Sequence, residues 1–181
     1  MVIHEINKHK KCIESYHFQK VILQHYLLLI QLNRHLNLKY IYWLLSDSYL
    51  KEASRYISDL DGDLIELIKA NAEELPFEDN SFQCISCVYL FHELPRTIRA
   101  KVLNEFFRVL EPGGTLVLAD SIQINDSPDF ISIMENFYKN FHEPFYCDYI
   151  KDDINSKFEE VGFKNVKSNS FFMTKVWSAV K

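Results

Sequence analysis

The stretch YLFHELPR, Tyr89 to Arg96, ends an apolar run on two titratable residues, His92 and Glu93, with Pro95 just beyond. An imidazole titrates near neutrality, so His92 suits acid–base work on a bound molecule. Other strand ends carry residues in matching places: Ser46 and Asp47 after YIYWLL, Asn71 and Ala72 after LIELIK, and Asp120 at the end of TLVLAD. Each has a plainer alternative. Asp120 reads equally as a turn or cap residue, Glu93 as a solvated charge, and His92 as a capping or half-buried imidazole. The C-x-x-C pair Cys84 and Cys87 suggests metal or redox chemistry, but it lies in QCISCVYLF. In a strand, residues three apart point to opposite faces, so no metal site is expected there.

What makes the strand-end residues worth grouping is the order of elements that carries them. YIYWLL, Tyr40 to Leu45, is a short aromatic-rich apolar run that predicts a buried strand. Ser46 and Asp47 offer cap oxygens to a helix marked by Leu50, Ala53 and Tyr56 or Ile57. Asp61, Gly62 and Asp63 make a turn before a second strand, LIELIKA. A third strand, Gln83 to Phe91, is nearly continuous in apolar residues, which predicts burial on both faces. RTIRAKVLNEFFRVL then repeats apolar residues at Ile98, Val102, Phe106 and Leu110, the pattern of an amphipathic helix, and Pro112, Gly113 and Gly114 stop it. TLVLAD follows as a fourth strand. Near the end, a helix closes at Val161 and Gly162 before two strand-like pieces around FFMTKVWSAV. Alternating strands and helices predict an α/β fold with a mostly parallel sheet, and ligands of such sheets bind at the carboxyl ends of the strands.

The 181 residues fit a single domain, 1–181, with ordinary globular composition: 48% hydrophobic and 25% charged. A net charge of -5 argues against nucleic-acid binding, which needs a clustered basic surface. Lys8, Lys10 and Lys11 read as a solvated terminus. Val21 to Leu45 is the most apolar region, but Gln24, His25, Gln31, Asn33, Arg34, His35 and Lys39 interrupt it. Its clean runs fall short of the roughly 18 to 20 residues a bilayer demands, so no membrane association is expected. The four cysteines, Cys12, Cys84, Cys87 and Cys147, follow no signal-like start, which predicts reduced thiols and a cytoplasmic location.

The segment ANAEELPFEDNSFQCISCVYLFHELPRTIRAKVLNEFFRVLEPGGTLVLAD resembles the second half of a class I S-adenosylmethionine-dependent methyltransferase of the small-molecule type. The likeness lies in the order of AEELPF, HELP, RVLEPGG and a strand ending in Asp120, and it runs from about Tyr40 to the C-terminus. It implies a Rossmann-like methyltransferase sheet closed by a C-terminal antiparallel hairpin. It also implies S-adenosyl-L-methionine as cofactor and a small-molecule methyl acceptor. By this resemblance Asn71 meets the adenine amino group and the Ala72 backbone its ring edge, while Tyr89 and Leu90 line the cofactor near the sulfonium. His92 looks toward the acceptor and is the candidate catalytic base. Phe137, Tyr138, Phe141, His142, Phe145 and Tyr146 stand where such enzymes build an acceptor pocket, although aromatic residues at these spacings also form plain core.

Two positions depart from the family. Its first strand and helix are joined by a glycine-rich turn that receives the cofactor's amino-acid moiety, whereas the glycines here are Gly62, Gly113, Gly114 and Gly162. The family's ribose-binding carboxylate would fall at Leu44, leaving Asp47 as the substitute. Residues 1–39 are accordingly an atypical apolar segment ahead of a family-like region, 40–181. Three accounts stay open: an enzyme whose amino-terminal part was lost or altered in frame, a degenerate binding module without catalysis, and an active enzyme with an unusual cofactor loop.

Overall fold

The computed structural model describes residues 40–45, 47–57, 65–141 and 143–181. The segment 1–39, with its lysines and Cys12, and also Ser46, the Asp61–Gly62–Asp63 turn and His142, lie outside the described residues. The chain divides between Asn71 and Ala72 into two compact units.

In the first unit, strand β1 (Tyr40–Leu44) is followed by helix α1 (Asp47–Ile57) and strand β2 (Ile65–Lys69). β1 and β2 pair in parallel, in register from Tyr40 opposite Ile65 to Leu44 opposite Lys69. This is the strand–helix–strand order expected from YIYWLL and LIELIKA. Asp47, the first residue of α1, takes a hydrogen bond of 2.7 Å from Lys69 Nζ at the end of β2.

The second unit holds strand β3 (Phe82–Val88), helix α2 (Arg96–Val109) and strand β4 (Leu110–Ser121). Helices α3 (Ile131–Phe141), α4 (Tyr146–Tyr149) and α5 (Ile154–Val161) follow, then strands β5 (Lys164–Phe171) and β6 (Thr174–Val180). The strands form one sheet in the order β3-β4-β6-β5, with β3 parallel to β4 and the pairs β4–β6 and β5–β6 antiparallel. The architecture is therefore α/β with mixed strand directions, and it includes the expected C-terminal hairpin.

One face of this sheet carries the core. Ile85 and Cys87 of β3, Leu116 and Leu118 of β4, and Trp177 and Ala179 of β6 are buried at alternate positions. Against them lie Val102, Leu103, Phe106 and Val109 of α2 and Ile154 and Phe158 of α5. Each large side chain removed from water stabilises by about 1.5–3 kcal/mol. Burial of β3 on both faces, expected from its apolar sequence, is not found: Cys84 and Ser86 are exposed. The C-x-x-C pair does divide between faces, with Cys84 exposed and Cys87 buried.

Two boundaries differ from the sequence expectation. β3 ends at Val88 rather than Phe91, because Tyr89 takes a left-handed conformation (φ 50°) and Phe91–Glu93 form a 3-10 turn. Helix α2 stops at Val109, ahead of Pro112, since Leu110 already pairs with Phe82 as the start of β4. The EPGG stretch is then a bulge within β4 between the Phe82–Leu110 and Cys84–Thr115 pairings. Gly113 sits at φ +84°, and a Cβ on Gly114 would lie 2.9 Å from the Glu111 carbonyl oxygen, so glycine is required at both.

Candidate active site

The site of the second unit forms where the parallel strands β3 and β4 end side by side. Tyr89 follows β3 directly, and its N–H bonds the Ala119 carbonyl of β4 at 2.8 Å. A bulky residue at positive φ is strained by about 1–2 kcal/mol. The kink turns the chain across the strand end into the 3-10 turn that carries His92.

Asp120, the penultimate residue of β4, is fully buried and organises that turn. Its Oδ2 accepts from the Phe91 N–H at 2.7 Å, and its Oδ1 accepts from the Ser121 N–H at 2.7 Å and meets His92 Nδ1 at 2.6 Å. Three donors thus fix one carboxylate, which suits a charge held away from water. His92 is 8% exposed, and the rings of Tyr89, Tyr146 and Tyr149 stand edge-on to it with centroids 6.1 to 6.2 Å away. Burial alone lowers the His92 pKa, but the charge and hydrogen bond of Asp120, aided by Glu93 and Glu143, prevail and raise it to about 9. The ordinary imidazole pKa assumed for a base at position 92 does not hold here.

The tyrosines are held in turn. Tyr146 Oη and Ser121 Oγ lie 2.7 Å apart, and Tyr149 Oη donates to the Ser121 carbonyl at 2.6 Å. Burial raises the pKa of both phenols, so they remain neutral. Tyr89 Oη bonds Thr174 Oγ1 at the start of β6. A buried ionic cluster then anchors the segment bearing Tyr146 and Tyr149. Arg99 of α2, fully buried, donates Nε to Asp152 at 2.9 Å and Nη1 to the Leu94 carbonyl at 2.6 Å, and its Nη2 meets Asp148. Arg96 adds a hydrogen bond of 2.8 Å to Asp148.

The remaining predicted positions are placed as follows. Asp47 and Asn71 belong to the first unit, where Asp47 pairs with Lys69 and Asn71 is half-buried beyond β2. Ala72, Tyr89, Leu90 and His92 belong to the second, where Tyr89 and His92 come together as neighbours. Phe137 and Tyr146 stack 4.7 Å apart, and Tyr146 borders His92. The Tyr138 and Phe141 side chains lie outside the description. The site residues missed in the sequence are Asp120 as the partner of His92, and Tyr149. Asp120 carried a signal, a carboxylate closing an apolar strand; Tyr149 carried none beyond its type.

The loop after Ala72 is fixed from α2. Glu105 Oε1 accepts the Leu75 N–H at 2.6 Å, and Arg108 donates to the Phe77 carbonyl at 2.9 Å and the Leu75 carbonyl at 3.2 Å. In the second unit Leu90 is half-buried, and Tyr89, at positive φ, stands beside the His92 ring, where the resemblance places the reacting end of the cofactor. At the cofactor's amino-acid end the fit fails, because no glycine precedes Gly62 to open the backbone to a carboxylate.

Comparison with known proteins agrees with this geometry. The Methyltransferase domain family matches residues 27–118. The chain is 36% identical over 110 residues to a Haemophilus influenzae protein described as uncharacterized, covering 61% of this chain and 43% of that one. It is 39% identical over 80 residues to a demethylmenaquinone methyltransferase of Listeria monocytogenes, covering 44% and 33%. It thus spans less than half the length of these curated relatives. Its fold is similar to that of a SAM-dependent methyltransferase from Aquifex aeolicus, with TM-score 0.55, 18% identity and coverage of 78% of this chain and 68% of that one. Family and fold imply S-adenosyl-L-methionine as the cofactor. The chain belongs to the methyltransferase domain family.

Proposed function

We propose that this protein transfers a methyl group from S-adenosyl-L-methionine to a small molecule that sits beside His92. The single observation that carries this reading is the junction of His92 and Asp120, 2.6 Å apart, at the strand ends of a family-matched domain. When bound, the cofactor supplies an electrophilic sulfonium methyl, and in-line displacement there demands chiefly that the acceptor be well placed. The chain supports placement through the Tyr89 kink, the 3-10 turn held by Asp120, and tyrosines tied to Ser121. The half-buried groups at Tyr89 and Leu90 exclude water from one side. Asn71 and Ala72 are assigned to adenine and Asp47 to the ribose, on the family resemblance.

The relatives named as demethylmenaquinone methyltransferases make a quinone-type ring the first acceptor to assay. Among the described residues no helix is long and apolar enough to cross a membrane, and Cys84, Cys87 and Cys147 are free thiols. Free thiols suit a cytoplasmic protein, and a net charge of -5 suits a small-molecule partner rather than nucleic acid.

The test is calorimetric titration of the full chain with S-adenosyl-L-methionine, followed by transfer of labelled methyl to a demethylated quinone analogue. Saturable binding and label transfer are expected, and the absence of both would refute the enzyme reading. A second reading, a family member kept as a binding module without catalysis, is favoured by the lack of any glycine before Gly62. It predicts neither signal.

A further inference from the structure

We infer that His92 donates a hydrogen bond, through Nε2–H, to an oxygen of the methyl acceptor that carries negative charge, and that Asp120 is the positioning residue holding the ring in that role. The inference rests on the methyl-transfer reading of this site and changes the part His92 plays in it.

The two ring nitrogens are in different situations. Nδ1 meets Asp120 Oδ1 at 2.6 Å, and that carboxylate is already fixed by the Phe91 and Ser121 amides, so Nδ1 carries the proton. Among the described residues Nε2 has no hydrogen-bond partner, although His92 is only 8% exposed. A polar nitrogen enclosed by the edges of three tyrosines costs free energy unless something pairs with it. A ligand atom placed beside the ring would supply that partner.

The charges around the ring decide whether that atom is a donor or an acceptor. Asp120 faces the ring from β4, Glu93 from its own turn and Glu143 from the segment before α4. Tyr146 and Tyr149 face it as neutral phenols, and the Tyr89 ring stands beside it. Arg99 lies 5.8 Å from the Tyr149 ring centroid and is tied to Asp148 and Asp152. This field favours the imidazolium over the neutral ring against the opposing pull of burial. A doubly protonated ring cannot accept a proton and can only donate at Nε2. Glu93 and Glu143 act on the ring through their charge and are half-buried, so their repulsion of an anion acts at longer range. Direct contact at hydrogen-bond distance outweighs it. The ligand class that fits is a phenolate, enolate or carboxylate.

The test uses the full chain and para-nitrophenol, whose colour reports its ionisation, with para-nitroanisole as a control that cannot ionise and benzoate as the carboxylate arm. Bound para-nitrophenol is expected to ionise more readily by about tenfold in its constant, the effect of one pKa unit. The effect should vanish in a folded His92→Gln variant. Displacement by benzoate assigns the site to carboxylates as well; failure to displace restricts it to ring or enolate oxygens, and either result keeps the donor role. In case the variant does not fold, the wild-type ring is read by nitrogen-15 NMR at about pH 8, between the free and raised pKa. Two protonated nitrogens, with Nε2 shifting on addition of the probe, are expected. A singly protonated ring, an unmoved Nε2, or a probe response that survives His92→Gln overturns the inference. Cofactor titration separates the two ideas. A probe response without cofactor binding removes only the methyl-transfer reading, and methyl transfer with a silent probe removes only the donor role.

Discussion

Asp120 is the residue on which the second unit's site turns. Replacing it with Ala leaves a buried imidazolium and two buried amides without their acceptor, a loss expected to reach about 3–5 kcal/mol in urea unfolding. Asp120→Asn keeps the shape and one acceptor oxygen but removes the charge, so the His92 pKa should fall. The sign of the pH dependence follows from His92 itself. Its folded pKa, about 9, exceeds the unfolded value, so its stabilisation is complete below that unfolded value, near 6.5, and is lost as pH rises through 9. Unfolding curves between those limits should show stability declining with pH in the wild type, and His92→Gln should flatten that decline.

Among the elements, α2 does the most positioning. Its inner face packs on the sheet through Val102, Leu103 and Phe106, while its ends and flanks hold the loops on either side. Arg99 fixes the Asp148–Asp152 segment, so Arg99→Leu removes the closest partner of buried Asp152, which keeps Arg96 and Lys157, and should destabilise by about 2–3 kcal/mol. The other flank acts through Glu105. Glu105→Leu removes the acceptor of the Leu75 amide and a partner of Arg108, and amide hydrogen exchange at Leu75 and Phe77 should quicken while the buried amides of β4 stay protected. Gly162 closes α5 at φ +111° with a Cβ position 3.3 Å from Phe107. Gly162→Ala should lower the thermal midpoint through about 1–2 kcal/mol of left-handed strain.

On the scale of the whole molecule, the second unit holds His92 and Asp120 in a fixed pair, and no glycine of the sequence precedes Gly62, where the family resemblance calls for a glycine-rich turn. A cofactor carboxylate that loses one or two backbone donors loses about 2–3 kcal/mol, roughly a hundredfold in affinity. Calorimetry of this chain beside a relative with the turn should therefore show S-adenosyl-L-methionine binding weaker by about that factor. Equal affinity would mean that other residues replace the turn.

Much of this was legible in the sequence wherever the information is local. The fourfold spacing of Val102 and Phe106 announced α2, the Val161–Gly162 end announced the cap of α5, and YIYWLL and LIELIK announced β1 and β2, because side-chain period and backbone preference act over a few residues. His92 was recognisable by its type and its place at the end of an apolar run. What depended on long-range folding was hidden. Asp120 lies 28 residues from His92 and Asp152 lies 53 from Arg99, and nothing in either local stretch names the partner. The early end of β3 escaped as well, since an apolar tyrosine gives no warning of a left-handed turn that only the hydrogen bond to Ala119 and the turn beyond it impose. The sequence by itself determined the elements and the residue types at their ends. Only the tertiary structure decided which charges meet, and thereby that His92 is held as a cation, because a pKa is set by burial and neighbours in space rather than along the chain.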